Sequence, residues 1–191
     1  MIGRDAITLG ILAGGRGQRL GGRDKAWVRH RGAPLVENLL RSFPGEFAGR
    51  LVSARAPDPR FDALGLRVVL DRRADFAGPL AGLEVLAEAC TTPWLMTVPV
   101  DLDLLPRDIA DRLAARAGVD GVVASDAEGL QPLLALWRTE AVREHAGAML
   151  DAGDSAARRL VARLQLARLD LAPHRLQNLN TPHDFPEGYD P

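Results

Sequence analysis

The sequence predicts an α/β protein built on a single doubly wound, mostly parallel sheet, and two patterns support this class. Short apolar runs bounded by glycine, proline or aspartate alternate with segments in which apolar residues recur at helical spacing. The run Trp94-Leu-Met-Thr-Val98 has no polar alternation, which is typical of a central strand covered on both faces. Alternating strands and helices form parallel sheets with right-handed crossovers.

Each element is predicted from its local pattern, in chain order. In the first helix, Leu35, Leu39 and Leu40 form one apolar stripe, and Pro34 stands at a favourable first helical position. The predicted strands are short apolar runs at residues 7–13, 50–54, 66–70, 94–98, 121–124 and 132–137, with a last one around Leu169. The predicted helices cover residues 34–43, 83–90, 107–116, 139–150 and 155–164. No repeat or linker interrupts this alternation, so we predict a single domain over residues 1–191.

Composition places the chain among ordinary globular proteins. Hydrophobic residues make up 47%, charged residues 26%, and the net charge is −1, so nothing indicates an extreme class. Basic residues are scattered and aromatic residues are few, so we expect no nucleic-acid partner. Cys90 is the only cysteine, which excludes an intrachain disulfide and fits a cytoplasmic location. No apolar run is long enough to span a bilayer, so we expect no membrane association.

The most informative stretch follows the first strand. Residues 12–25 read Leu-Ala-Gly-Gly-Arg-Gly-Gln-Arg-Leu-Gly-Gly-Arg-Asp-Lys and include five glycines. Glycine permits positive φ and close approach of the backbone to a ligand, while Arg16, Arg19, Arg23 and Lys25 supply positive charge. The pattern favours a polyphosphate ligand. A flexible, basic surface loop is the alternative interpretation, and the residues alone leave both open.

Two well-known phosphate loops do not match this stretch. Gly17 and Gly22 have the spacing of a P-loop, but Arg23-Asp24 follows where lysine and serine or threonine are required. A dinucleotide-binding fingerprint starting at Gly15 would need a third glycine where the chain has Leu20. The loop therefore belongs to neither template.

The loop resembles the signature of the MobA-like nucleotidyltransferase family, in which Leu-Ala-Gly-Gly is followed by Arg-Leu-Gly-Gly-x-Asp-Lys. Gly78-Pro-Leu-Ala-Gly82, Pro99-Val-Asp101 and Asn178-Leu-Asn-Thr-Pro182 resemble further landmarks in the family's order. The resemblance covers most of the chain and implies a Rossmann-like nucleotidyltransferase fold. It also implies an enzyme that uses Mg²⁺ to transfer GMP from GTP to the phosphate of molybdopterin or molybdenum cofactor, with release of pyrophosphate. In the family, Leu-Ala-Gly-Gly goes with guanine and Leu-Ala-Ala-Gly with cytosine, so GTP is favoured over CTP.

Candidate metal ligands follow a buried strand and a late turn. Ligands of doubly wound sheets bind beyond the carboxyl ends of the strands, and Asp101 lies there, where a carboxylate suits Mg²⁺. A turn-capping aspartate is the alternative. The resemblance implies that Asp101 binds the metal and that Asn180, in preference to Asn178, assists; an Asx turn is the alternative for this asparagine. Asp103 departs from the family pattern; an added outer metal ligand is one interpretation, and we prefer a solvated acid.

The resemblance also implies the roles of the remaining site residues. Arg19, Lys25 and Asp101 would be catalytic. Arg19 and Lys25 would neutralise the triphosphate and the departing pyrophosphate, and Asp101 would hold the metal; solvated surface cations are the alternative for Arg19 and Lys25. The implied nucleotide-binding residues are Leu12, Ala13, Gly14, Gly15, Lys25, Ser53, Asp71 and Asp101. Ser53 stands where we expect asparagine, and Gln131 where we expect histidine, so both departures put acceptor or base contacts in doubt.

Two other functions remain open from the sequence. One is a related nucleotidyltransferase that uses CTP or another phosphate acceptor. The other is a non-catalytic nucleotide-binding adaptor that delivers cofactor to a molybdoenzyme. The partners implied by the resemblance are GTP, molybdopterin or molybdenum cofactor, cofactor-biosynthesis proteins and molybdoenzymes.

Overall fold

The computed structural model describes residues 2–14, 24–73 and 78–185. The strands in these ranges are β1 Ile7–Leu12, β2 Arg29–His30, β3 Ala33–Pro34, β4 Gly49–Ala54, β5 Arg67–Leu70, β6 Trp94–Pro99, β7 Leu102–Asp103, β8 Gly121–Asp126, β9 Gly129–Arg138, β10 Leu166–Asp170 and β11 Gln177–Asn178. The α-helices are α1 Leu35–Arg41, α2 Pro59–Ala63, α3 Gly78–Ala89, α4 Ile109–Arg116, α5 Thr139–Asp151 and α6 Ala157–Arg163. Short 3₁₀ turns occur at Arg4–Ala6, Lys25–Trp27 and Pro182–Asp184.

Seven of these strands form a central sheet in the order β10-β8-β9-β6-β1-β4-β5. β6, β1, β4 and β5 are parallel neighbours, and β10 is parallel to β8. β9 runs antiparallel to both β6 and β8. The predicted mostly parallel α/β sheet is therefore confirmed, and the carboxyl ends of four adjacent strands meet at one edge.

Helices cover both faces of the sheet, as a doubly wound fold requires. On one face, α1, α2 and α4 pack on a core that includes Ile7, Leu9 and Ile11 of β1. On the other face, α3, α5 and α6 form a second core with side chains such as Trp137. Gly10 of β1 permits the close approach of α3, because an added Cβ would lie 3.1 Å from a methyl carbon of Leu86.

The structure contains elements that the sequence analysis did not predict. α2 begins in the segment that contains two prolines, because Pro59 stands at a first helical position and Asp58 accepts a hydrogen bond from the N–H of Arg60 at 2.9 Å. The β2–β3 hairpin and the β7–β11 pair are two residues long per strand. Such short strands carry no periodic signal, and β11 pairs with β7 over a long separation in sequence. The single-domain organisation over residues 1–191 stays a prediction.

Candidate nucleotide and metal site

A cleft of about 360 Å³ opens at the edge where the parallel strands end. It lies at the end of β1, whose neighbours in the sheet are β4 on one side and β6 on the other. The chain order of the strands reverses there, which is the usual ligand position in such sheets. The cleft is lined by Leu12, Gly14, Ser53, Asp71, Gly78, Pro79, Gly82, Pro99, Asp101 and Leu133. Five of the predicted nucleotide-binding residues are among them.

Backbone hydrogen bonds fix the strand ends around this cleft. The N–H of Ala13 donates to the carbonyl of Ser53 at 3.0 Å, and the N–H of Val100 donates to the carbonyl of Leu12 at 3.0 Å. Asp71 continues the β4–β5 ladder through its N–H, which donates to the carbonyl of Ala54 at 3.4 Å. The side chains after β1, β4, β5 and β6 are thus held in one register.

One end of the cleft carries buried polar atoms that face no protein partner. Within the described part of the chain, neither the buried Ser53 Oγ nor the buried Asp71 Oδ1 has a hydrogen-bond partner. An unsatisfied buried polar group costs about 1–3 kcal/mol, so these atoms are suited to donors supplied by a ligand. Burial raises the pKa of the Asp71 carboxyl; the positive charge of Arg55 opposes this effect and the negative charge of Glu84 adds to it.

Two glycines make room for these polar side chains. A Cβ added to Gly14 would lie 2.9 Å from Asp71 Oδ2, and one added to Gly82 would lie 2.9 Å from Ser53 Oγ. Contacts this short force a neighbour to move. The glycine at position 14 and the position of the Asp71 carboxylate therefore depend on each other.

The other end of the site is organised around Lys25, the only lysine among the 24 lysine and arginine residues. Its Nζ donates to Asp101 Oδ2 at 2.5 Å and to Asn180 Oδ1 at 2.7 Å. The side chains of Lys25 and Asp101 are 12% and 16% exposed. A compact ammonium fits between two converging oxygens better than a planar guanidinium does. Two oxygens from distant parts of the chain thus converge on one cation.

Local contacts hold Lys25 in this position. It begins the turn Lys25–Trp27, in which Asp24 Oδ1 accepts a hydrogen bond from the N–H of Ala26 at 3.0 Å. The ring of Trp27 packs on Phe61, with 4.8 Å between ring centroids, and the Arg60 guanidinium lies 4.1 Å above the Trp27 ring. The predicted residues that precede this turn, Gly15 and Arg19, lie outside the described residues.

The segment that follows β11 places Asn180 near Asp101. The N–H of Leu179 donates to the carbonyl of Asp101 at 2.9 Å. Asp184 Oδ2 accepts hydrogen bonds from the N–H groups of Asn180 and Thr181 at 2.8 and 2.7 Å, and from Thr181 Oγ1 at 3.0 Å. These bonds, led by that of Thr181, lower the pKa of Asp184. The sequence analysis missed Asp184; its signal was an acid closing a turn four residues after Asn180.

Asn178 and Asp103, which the sequence analysis also considered, have partners other than Lys25. Asn178 is exposed and pairs with Leu102 in the β7–β11 ladder. The expectation that Asp103 is a solvated acid is wrong, because its carboxylate binds His30 Nε2 at 3.2 Å and Arg31 at 3.2 Å and is 19% exposed. These partners are distant in sequence, so the pair fixes the β2–β3 hairpin to the loop after β6.

The oxygens around Lys25 suit a hard divalent cation. Within residues 2–14, 24–73 and 78–185, no cluster of three or more His, Cys, Asp or Glu is placed to hold a metal. Mg²⁺ does not need one, because it binds one or two protein oxygens and completes its shell with phosphate oxygens and water. Asp101 Oδ2 and Asn180 Oδ1 already converge on the ammonium of Lys25. The residues present therefore fit Mg²⁺, provided that Lys25 moves toward another anion.

A cleft at the strand-order reversal, with glycines admitting polar atoms, is the usual ligand site of doubly wound α/β proteins. Solved structures share this fold at low sequence identity. A molybdopterin-guanine dinucleotide biosynthesis protein A from Archaeoglobus fulgidus is similar at a TM-score of 0.73 and 19% identity, covering 94% of this chain and 95% of that one. A CTP:phosphocholine cytidylyltransferase from Streptococcus pneumoniae is similar at a TM-score of 0.66 and 13% identity, covering 95% and 96%. At these identities the likeness concerns the fold.

The chain belongs to the MobA-like NTP transferase domain family, whose model matches residues 9–169. A molybdenum cofactor guanylyltransferase from Polynucleobacter asymbioticus is 36% identical over 97% of this chain and 96% of its own length. One from Bordetella petrii is 39% identical over 73% of this chain and 74% of its own. The predicted family and the predicted enzyme class are confirmed. Among the described residues, no helix is long and apolar enough to cross a bilayer.

The burial of Asp71 leads to a test of stability. Because the folded-state pKa of Asp71 is raised above its usual value of 3.8, its charge disfavours folding at neutral pH, and this effect disappears when both states are protonated. We expect Asp71→Asn to raise the free energy of unfolding by about 1 kcal/mol at neutral pH, near the lower end of the cost of one unsatisfied group. The gain should vanish below pH 3.8. Urea titrations at pH 7.5 and pH 3.5 measure it; a variant less stable than the parent at pH 7.5 would contradict the argument.

Proposed function

We propose that this chain transfers GMP from GTP to the terminal phosphate of molybdopterin or molybdenum cofactor, forming the guanine dinucleotide and releasing pyrophosphate. The observation that carries the proposal is the cleft itself. Ser53 Oγ and Asp71 Oδ1, which have no partner in the part of the chain that the structure describes, lie in the same cleft as Asp101, which holds Lys25. The family and the names of the similar guanylyltransferases support the choice of reaction.

Guanine fits the end of the cleft that contains Asp71. A carboxylate accepts two parallel hydrogen bonds, and guanine offers its N1–H and 2-amino group side by side. Gly14 leaves the space that this carboxylate occupies. Ser53 adds a hydroxyl that can accept from or donate to the base or ribose, where a longer asparagine was expected. Leu12 and Ala13 present their main chain beside the same pocket.

The triphosphate fits the end that contains Lys25. A mobile ammonium can leave Asp101 and Asn180 and bind phosphate oxygens, which carry more charge. In the proposed site Asp101 and Asn180 would then hold Mg²⁺, and Arg19 would add positive charge. Bound there, Mg²⁺ would neutralise triphosphate charge. Asp101 and Asn180 would thus remain paired with a cation, first Lys25 and then Mg²⁺.

The proposed reaction needs no covalent bond to the protein. A terminal phosphate oxygen of the acceptor attacks the α-phosphorus of GTP, and a new phosphorus–oxygen bond forms. The bond from the α-phosphorus to the bridging oxygen breaks, and pyrophosphate leaves with the electron pair. Lys25 and the strand-end residues contribute placement and charge stabilisation, which are the main components of catalysis in such transfers.

The acceptor end of the proposed site is bordered by β9. Gln131 lies on β9 opposite Ala124, two residues before Leu133 of the cleft lining.

A related enzyme with CTP or another phosphate acceptor is the second candidate. The contact of Asp101 with Lys25 argues against a mere adaptor, since binding alone needs no cation-holding carboxylate. We also propose a cytoplasmic location, and cofactor-biosynthesis proteins and molybdoenzymes as partners.

The direct test is incubation with molybdopterin, Mg²⁺ and each of the four nucleoside triphosphates, followed by detection of the dinucleotide and pyrophosphate. GTP should give the product. Asp101→Ala should lower the rate at least about 100-fold, because the cation site loses its carboxylate. Asp103→Asn is the matched control, because this acid lies two residues further along the chain, in β7, and should keep the rate. A folded Asp101→Ala variant with normal turnover would remove Asp101 from the mechanism.

Substitution of Gly14 tests the base. Because its Cβ would lie 2.9 Å from Asp71 Oδ2, Gly14→Ala should displace the carboxylate and raise the KM for GTP about tenfold, the effect of losing one hydrogen bond to a charged group. Gly49→Ala is the control glycine, because its Cβ would meet Thr8 at an ordinary 3.5 Å. Steady-state kinetics with GTP and CTP measure both. An unchanged KM for GTP in Gly14→Ala would contradict guanine binding by Asp71.

Substitution of Lys25 tests its exchange with the cation. Lys25→Met should bind Mn²⁺ about tenfold more tightly than the parent without nucleotide, because the ammonium no longer competes for Asp101 and Asn180. The same variant should transfer GMP more slowly, since it lacks a phosphate contact. Electron paramagnetic resonance of free Mn²⁺ measures the affinity. Lys25→Arg, which keeps the charge, is the control, and equal Mn²⁺ affinity in Lys25→Met and the parent would contradict the exchange.

A further inference from the structure

Arg73 follows Asp71 by two residues and binds two helices. Its Nε and Nη2 donate to the two carboxylate oxygens of Glu84 on α3 at 2.8 and 2.6 Å. Its Nη1 donates to Asp151 Oδ1 at the end of α5 at 2.6 Å, and Nη2 also approaches the carbonyl of Gly147 at 3.4 Å. The hydrogen bonds to Glu84 and then Asp151 raise the pKa of Arg73, so the guanidinium remains charged.

The ion pair of Arg73 is more buried than that of Arg72, the residue before it. The Arg73 and Glu84 side chains are 27% and 13% exposed. A Cβ added to Gly147 would lie 3.2 Å from Glu84 Oε1, so this glycine gives the carboxylate room, although glycine inside a helix is unfavourable. Arg72 forms an ion pair with Glu88 at 2.9 Å while 77% exposed. Such surface pairs contribute little, whereas a bidentate pair fixes geometry.

Asp71 is restrained by one contact of its own backbone and by one of Arg73, which follows it in the sequence. On its amino side, the N–H of Asp71 donates a hydrogen bond to the carbonyl of Ala54 at 3.4 Å, which is longer than an ordinary N–H to oxygen bond. On its carboxyl side, Arg73 ties the chain to α3 and α5. The Asp71 carboxylate must stay in the space left by Gly14. The bidentate contact is the firmer of the two restraints on that position.

Glu84 itself opposes the charge of Asp71. Burial is the main cause of the raised pKa of Asp71, and the negative charge of Glu84 adds to it. The ionised carboxylate is the form that accepts two hydrogen bonds. Removal of the Glu84 charge alone would therefore favour guanine binding, whereas loss of the contact between Arg73 and Glu84 would let the carboxylate move.

We propose that Arg73 is a positioning residue for base recognition: clamped to Glu84 and Asp151, it holds the Asp71 carboxylate where it can bind the N1–H and 2-amino group of guanine. This inference rests on the proposed function, because it takes guanine as the base. Arg73 acts through Asp71 and contacts no reacting atom.

The test compares Arg73→Met with its neighbour Arg72→Met by isothermal titration of GTP and of inosine triphosphate, with Mg²⁺ present and the acceptor absent. Inosine triphosphate lacks the 2-amino group. The parent and Arg72→Met should prefer GTP about tenfold, the effect of one charge-assisted hydrogen bond. Arg73→Met should lose this preference to about twofold, mainly through weaker GTP binding. Thermal unfolding of each variant is recorded in parallel.

Each outcome decides one claim. A folded Arg73→Met that keeps the tenfold preference overturns the inference, and a lower melting temperature with the preference intact shows a structural role alone and also overturns it. If Arg73→Met does not fold, Glu84→Gln, which keeps the side-chain volume, must lose the preference for the inference to hold. A parent that binds both nucleotides equally contradicts guanine recognition in the proposed function itself, before any variant is compared.

Discussion

The contact of Lys25 with Asp101 and Asn180 joins three segments that are far apart in the sequence. Lys25 follows the glycine-rich stretch, Asp101 follows β6, and Asn180 is placed by Asp184 near the end of the described chain. A lysine held by two oxygens at 2.5 and 2.7 Å both neutralises a half-buried carboxylate and keeps its ligands converged. The rest of the site depends on this arrangement, because an unpaired Asp101 at this depth would repel a triphosphate rather than bind it.

The cleft separates two tasks in space. At one end, glycines at positions 14 and 82 leave room for a buried carboxylate and hydroxyl that have no partner among the described residues. At the other end, the charges are already paired within the protein. In the proposed function the first end would provide selectivity, because unsatisfied buried atoms discriminate against a base that cannot pair with them. The second would provide turnover, because the ammonium would exchange one anion for another.

Much of the fold could be predicted from the sequence, and the site only in part. Short apolar runs indicated the seven sheet strands, but nothing local indicated that β9 runs antiparallel, since direction is set by tertiary pairing. The strand-end rule and the family resemblance indicated Asp71 and Asp101. Asp103 was wrongly expected in solvent, and Asp184 and Arg73 were missed, because their partners lie across the fold and leave no periodic trace.

The antiparallel direction of β9 has a consequence for the acceptor side. β8 ends at the same edge as β6, so the turn after Asp126 lies at the edge where the cleft opens, and Leu133 of β9 lines the cleft. This side of the cleft is thus bordered by a strand that follows a hairpin instead of a crossover. Hairpin connections tolerate insertions and changes of length well. If the nucleotide binds as proposed, changes in this hairpin would alter which molecule receives it while the donor half stays constant.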